Sequence, residues 1–205
     1  MALKKSNIAT ASSDENEVKD CKTIGQNLLS DDASVRRWAA RDITHCDGAS
    51  MMLLDQLEVE TDMSVRQVIL TSLTQVGDSE AVEGLVRCLR TEDAGLRNEA
   101  IEAMKHLPKE IAPIMACLLN DSDPDVRIFA VNILESLCHP DVEQWLIGVI
   151  RDDEHINVCA TAVDLLGEVG SEQSTQALQE LKDRFDEEPY IQFAADLAIK
   201  RITGD

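Results

Sequence analysis

The stretch Asp121-Ser122-Asp123-Pro124-Asp125-Val126-Arg127-Ile128-Phe129-Ala130-Val131-Asn132-Ile133-Leu134 decides the fold. It joins a helix-starting turn, Asp123-Pro124, to apolar residues at Val126, Ala130 and Leu134, the four-residue spacing of one helix face. Its apolar-arginine step, Val126-Arg127, returns as Val35-Arg36, Val65-Arg66 and Leu96-Arg97, and in altered form as Val158-Cys159 and Ile191-Gln192. Successive apolar members stand 30, 31, 30, 32 and 33 residues apart. A period of that length marks a solenoid, in which each supersecondary unit buries its apolar face only by stacking on its copies.

The repeat survives a position-by-position comparison. Counting from the apolar member as zero, positions 0, 4, 8 and 11 are apolar in all six copies, from Val35, Ala39, Ile43 and Cys46 to Ile191, Ala195, Ile199 and Ile202. Position 4 is alanine in five copies, which lets helices approach closely, and Gly77 and Gly170 fall where a helix should stop. Second helices are predicted near 33–46, 63–76, 94–107, 124–138, 155–169 and 189–202. Shorter first helices are predicted near 22–29, 50–59, 79–90, 109–119, 141–151 and 172–185. Three Phe, two Trp and one Tyr among abundant Ala, Leu, Val and Ile suit helix-on-helix packing. The expected fold is all-α, a right-handed α-solenoid of about six stacked hairpins over residues 21–205. Residues 1–20 lack apolar periodicity and read as a mobile tail.

The turns follow their own rule. Asp32, Asp62, Asp93 and Asp123 each stand four residues before Arg36, Arg66, Arg97 and Arg127. An aspartate there can accept hydrogen bonds from free N–H groups at the helix start. The arginines lie within reach of the same turn or of the aspartate in an adjacent repeat, so a ladder of Asp-Arg contacts is expected to hold the stacking register.

Charge narrows the function classes. The formal net charge is −20, spread as −1 over residues 1–20, −9 over 21–140 and −10 over 141–205. Such a surface repels nucleic acid and anionic lipid, and it suits a protein partner of basic or mixed charge. No apolar run is long enough to span a membrane, and the first 20 residues are polar, so a cytoplasmic protein is expected. Six scattered cysteines without a Cys-x-x-Cys pair read as reduced thiols.

The stretch 121–134, with Asp-Asp-Ala-Ser-Val-Arg-Arg-Trp-Ala-Ala-Arg-Asp-Ile (31–43) and Leu-Leu-Gly-Glu-Val-Gly (165–170), resembles the short HEAT-like repeats named after phycobilin lyases. The resemblance covers about residues 22–203 and implies a fold used by adaptors, assembly factors, regulatory subunits and a few enzymes. HEAT-like deoxyhypusine hydroxylases carry His-Glu pairs at a di-iron site, and this chain has no His-Glu dipeptide. HEAT-like DNA glycosylases need a basic, aromatic-bearing face, which the composition lacks. Neither a Gly-rich phosphate loop nor a nucleophile elbow is present, and no catalytic residue or cofactor is assigned. A phycobilin-lyase-like or cofactor-assembly role, assisting chromophore or metal insertion into a client, stays open as the alternative.

His45-Cys46, Cys138-His139 and the pair His155 and Cys159 place metal-type donors close in sequence. The plainer reading makes Cys46 and Cys138 core-side residues and the histidines exposed helix ends. His155 and Cys159 are the more pointed pair, because they fill the slots of Asp and Arg in the earlier repeats.

The resemblance implies that second helices line a concave face. Position 2 on that face holds Arg37, Gln67, Asn98, Ile128, Ala160 and Phe193, with Arg41, Lys105, Asn132 and Glu135 nearby. Ile128 and Phe193 are apolar where other repeats are polar, which makes them candidate anchors for a client. The expected molecule is a monomeric, non-enzymatic protein-binding scaffold.

Overall fold

A computed structural model describes residues 21–204. The stretch 1–20, expected as a mobile tail, lies outside the described residues. Among the described residues there are twelve α-helices and no strand. They pair as hairpins: α1 (Cys21–Leu28) with α2 (Ala33–Asp42), α3 (Ala49–Val59) with α4 (Met63–Val76), and α5 (Ser79–Cys88) with α6 (Ala94–Lys105). The series continues with α7 (Pro108–Leu119) and α8 (Pro124–Leu134), α9 (Val142–Asp152) and α10 (Ile156–Val169), then α11 (Thr175–Arg184) and α12 (Pro189–Thr203).

Each even-numbered helix packs on the next even one, from α2 on α4 to α10 on α12, and α3, α5, α7, α9 and α11 stack in the same order. The result is a two-layer α-solenoid with one continuous core between the layers. Ala39, Ile69, Ala100, Ala130, Ala162 and Ala195 at position 4 are all buried. Position 5 is buried as well at Ala40, Leu70, Ile101, Val131 and Val163, so each of the first five second helices presents a wide apolar sector to its neighbours.

Three of the six second helices, α2, α6 and α8, stop earlier than the hydrophobic period suggests. The period of α2 runs on to Cys46, but the helix ends at Asp42 and a 3-10 turn over Ile43–His45 finishes the segment. α6 ends at Lys105, since the residue before a proline, Leu107 before Pro108, is disfavoured in helical conformation. The side chains of Cys46, Leu107 and Leu137 remain buried outside the helices that their periodicity extends. Gly77 closes α4 in the left-handed region, φ 59°, where its N–H bonds the Leu73 carbonyl at 2.9 Å.

The cysteines correct one expectation. Cys21 and Cys46 are joined in a disulfide, with Cα atoms 5.7 Å apart, although 25 residues separate them. The first hairpin brings the start of α1 beside the end of the 3-10 turn, a proximity that no local spacing motif announces.

Candidate interaction surface

Each turn aspartate serves as the N-cap of its second helix. Asp32 accepts from the Ser34 N–H at 2.8 Å, Asp62 from Ser64 at 2.9 Å and Val65 at 3.2 Å, Asp93 from Leu96 at 3.1 Å, and Asp123 from Asp125 at 2.9 Å. One oxygen of each, Oδ1, is committed to these N–H groups, and only Asp93 uses its other oxygen to pair with an arginine of the repeat step.

The arginines turn to other acids. Arg36 makes a two-pronged pair with Glu60, both contacts 2.7 Å, across 24 residues. Arg127 does the same with Asp153 at 2.6 and 3.0 Å. Only Arg66 reaches a capping aspartate, Asp93, at 3.0 Å. Arg97 has no acid in the ladder; its guanidinium lies 5.2 Å from the centre of the Phe129 ring and donates to the Thr91 carbonyl at 2.8 Å. The cross-repeat contacts therefore exist, but as Glu60, Asp93, Phe129 and Asp153 in succession.

The acids that answer Arg36 and Arg127 are buried, whereas Asp93, which answers Arg66, is half exposed. The Glu60 side chain is 1% exposed, and the Arg36 guanidinium holds its carboxyl down at about 2, against the opposing push of burial. Burial pushes the Asp153 carboxyl up, yet Arg127 and the His155 N–H together hold it below the usual range. Each charge stays ionised because its lone pairs are occupied.

His155 is the N-cap residue of α10, and the Cys159 N–H donates to its carbonyl at 3.1 Å. The Cys159 thiol is buried, donates to the Asp153 carbonyl at 3.2 Å and is pushed up to about 11 by burial. Burial and that bond favour the neutral thiol in the slot that an arginine fills in the earlier repeats. Arg184, from α11, reaches back to the carbonyls of Arg151 and Ile150 and to the Cys159 sulfur.

The outward face of the second-helix layer carries the other candidate residues. Arg37 and Arg41 are exposed on α2, where Arg41 stacks 4.7 Å over the ring of the exposed Trp38. Gln67, Asn98 and Glu135 are exposed, while Asn132 is half-buried. Between α4 and α6 a groove of about 580 Å³ is lined by Gln67, Thr71, Thr74, Asn98, Glu102 and His106. Between α8 and α10 a smaller one of about 240 Å³ is lined by Asn132, Glu135, Thr161, Asp164 and Glu168. Lys105 is not a free cation: its side chain is 15% exposed and is held by Glu102 at 3.0 Å and Glu135 at 3.5 Å.

The two apolar candidates part company. Ile128 is half-buried and packs against the core. Phe193 is 66% exposed, and Tyr190 and Leu197 join it on α12 at 54% and 37%. These three residues share one helix face, and Tyr190 donates to Asp164 on α10 at 2.9 Å, which places the stripe beside the neighbouring second helix. Tyr190, Leu197 and Trp38 escape a reading limited to position 2. An i, i+3, i+7 apolar pattern on the side of α12 away from Ile191 and Ala195 is the signal that finds two of them.

Among the described residues, no helix is long and apolar enough to cross a membrane. No curated protein sequence matches the chain. The TOG3 structure of Drosophila melanogaster Mini spindles is similar in fold, with a TM-score of 0.55 and 16% identity over 89% of this chain and 94% of that one. Human deoxyhypusine hydroxylase in complex with glycerol aligns at a TM-score of 0.46 and 18% identity, over 90% of this chain and 85% of that one. The CpcE–CpcF complex of phycocyanin lyase from Nostoc sp. PCC7120 aligns at 0.39 and 16%, over 94% and 98%. The family model for HEAT repeats matches residues 21–105 and 111–200, nearly all of the helical region. By that match, the chain belongs to the HEAT-repeat family.

Proposed function

We propose that this chain is a non-enzymatic, cytoplasmic scaffold, acting as a monomer, that holds a client protein of basic or mixed surface charge on the outward face of its second helices. The observation that carries the reading is the exposed stripe Tyr190, Phe193 and Leu197, with Asp164 held beside it by Tyr190. Large aromatic side chains left in solvent beside acids suit an apolar anchor within a polar rim. At the other end of the layer, Arg37, Trp38 and Arg41 offer a cationic and aromatic patch, with the amides Gln67, Asn98 and Asn132 between. A client spanning this face meets a sign gradient that fixes its direction.

Affinity capture from the source organism, using the wild-type chain and two variants, tests the reading. Phe193→Ser is expected to lower client recovery by about tenfold or more, as for a central aromatic anchor. Arg41→Glu is expected to weaken capture less and to change its salt dependence. Recovery unchanged by both variants places the interface elsewhere. A chromophore travelling with the purified chain, read as visible absorbance, replaces the scaffold reading with chromophore assembly.

A further inference from the structure

The first hairpin holds a grouping that the scaffold reading does not use. Cys21 and Cys46 contribute two sulfurs and His45 one ring nitrogen, and these three donors lie within 4.8 Å of one another. The donors come from two segments, the start of α1 and the end of the 3-10 turn, so they meet only when the hairpin is packed. Cys46 is buried, Cys21 is half-buried and His45 is exposed. The site thus has a closed sulfur side and an open imidazole side.

We propose that Cys21, Cys46 and His45 form a zinc-type metal site gated by the oxidation state of the two cysteines, with the disulfide as its closed form. Tetrahedral zinc with two thiolates and an imidazole needs donor separations of roughly 3.5–3.8 Å, which the two sulfurs can reach only once the bond between them is reduced. Two thiolates cancel the charge of a divalent ion, so the partly buried site is neutral when filled, and a neutral imidazole completes three ligands. The fourth position faces solvent beside His45, where water or a client donor can enter.

The chemistry balances without any other group of the protein. On oxidation the two thiols lose two protons and two electrons as the S–S bond forms, and a small-molecule disulfide accepts both electrons and leaves as two thiols. On metal entry the two thiols release two protons to solvent and no electrons move. Disulfide and metal are therefore mutually exclusive, and each clasps α1 to the end of the first hairpin. Only the reduced, metal-free chain leaves this corner unclasped.

Cobalt(II) titration of full-length protein, reduced and desalted without oxygen, tests the site. The reduced chain is expected to take one equivalent with a thiolate-to-cobalt charge-transfer band that one equivalent of zinc bleaches. Protein oxidised with a small-molecule disulfide is expected to show no band. Cys21→Ser should abolish the two-thiolate band, and His45→Gln, at an exposed position, should weaken binding by at least about tenfold, since even the partners behind a ligand are worth that much. A combined Cys88→Ser, Cys117→Ser and Cys138→Ser variant should bind as the wild type does. The proposal is overturned if the reduced wild type gives no thiolate band, if His45→Gln binds as tightly as wild type, or if the combined variant loses the band. Should Cys21→Ser lose its helical circular dichroism, the His45→Gln and combined variants still decide.

Discussion

The first four repeats and the last two solve one problem with different chemistry. Arg36, Arg97 and Arg127 each donate to the carbonyl six residues upstream, on Ser30, Thr91 and Asp121, where the chain leaves the first helix. In the fifth repeat Cys159 addresses the same relative carbonyl, that of Asp153, through its thiol. In the sixth, Gln192 donates to the Lys182 and Phe185 carbonyls at 2.8 and 3.1 Å. Apart from the second repeat, where Arg66 donates to Asp93 instead, what recurs is a donor for backbone acceptors left over at a helix end; the positive charge is an addition of the early repeats. That charge joins one repeat to the next through Glu60, Asp93 and Asp153. Where it is missing, Arg184 enters from α11 and supplies a cation at the end of α9.

The comparison can be broken most forcefully at Arg127. Arg127→Ala leaves the Asp153 carboxylate, 7% exposed, without its partner, and a loss of about 3–5 kcal/mol in chemical denaturation is expected. A loss below about 1 kcal/mol would make the pair an ordinary surface contact and dissolve the distinction.

Acid titration probes the same idea at Glu60. Its folded-state carboxyl titrates at about 2 against an ordinary 4.5, so the unfolded chain binds the proton first as pH falls. Its contribution, about 3 kcal/mol, is complete above roughly pH 5, declines as pH drops toward 2 and is gone below that. Glu60→Gln should flatten this part of the stability-pH curve; an unchanged slope would assign the acid sensitivity to other carboxylates.

Arg184→Ala is expected to cost about 1–2 kcal/mol, with faster amide exchange confined to α9–α12. Exchange that rises throughout the solenoid would show that the late repeats are not a separate solution. The smallest effect is expected at Arg97, which has an aromatic ring where its neighbours have an acid. Arg97→Ala should lower stability by about 1 kcal/mol with no change in its pH dependence.

Period and turn chemistry made the helical layers legible before any coordinates. Val65, Val126, Val158 and Ile191 are buried where the count from the apolar member puts them, because side-chain direction in a helix follows residue number. The identity of the arginine partners was not legible, since the acids that answer Arg36, Arg66 and Arg127 lie 24, 27 and 26 residues away, without a fixed offset. The degree of exposure of Ile128 was not legible either. Position 2 is exposed at Gln67, Asn98 and Phe193, but the larger part of the Ile128 side chain turns onto the core beside it. The Cys21–Cys46 contact depends on hairpin geometry alone, and no pairwise spacing encodes it.

The withdrawal of so many guanidinium groups into the seams has a consequence for encounters at a distance. Arg36, Arg66 and Arg127 are neutralised internally, and much of the net charge of −20 remains free to project outward. An approaching basic molecule feels that field from about a Debye length, roughly 8–10 Å at physiological ionic strength, before any side chain touches. Capture speed would then be set by salt, while dwell time would be set by the uncharged ring of Phe193, so ionic strength and a single aromatic substitution should act on separate halves of the binding kinetics.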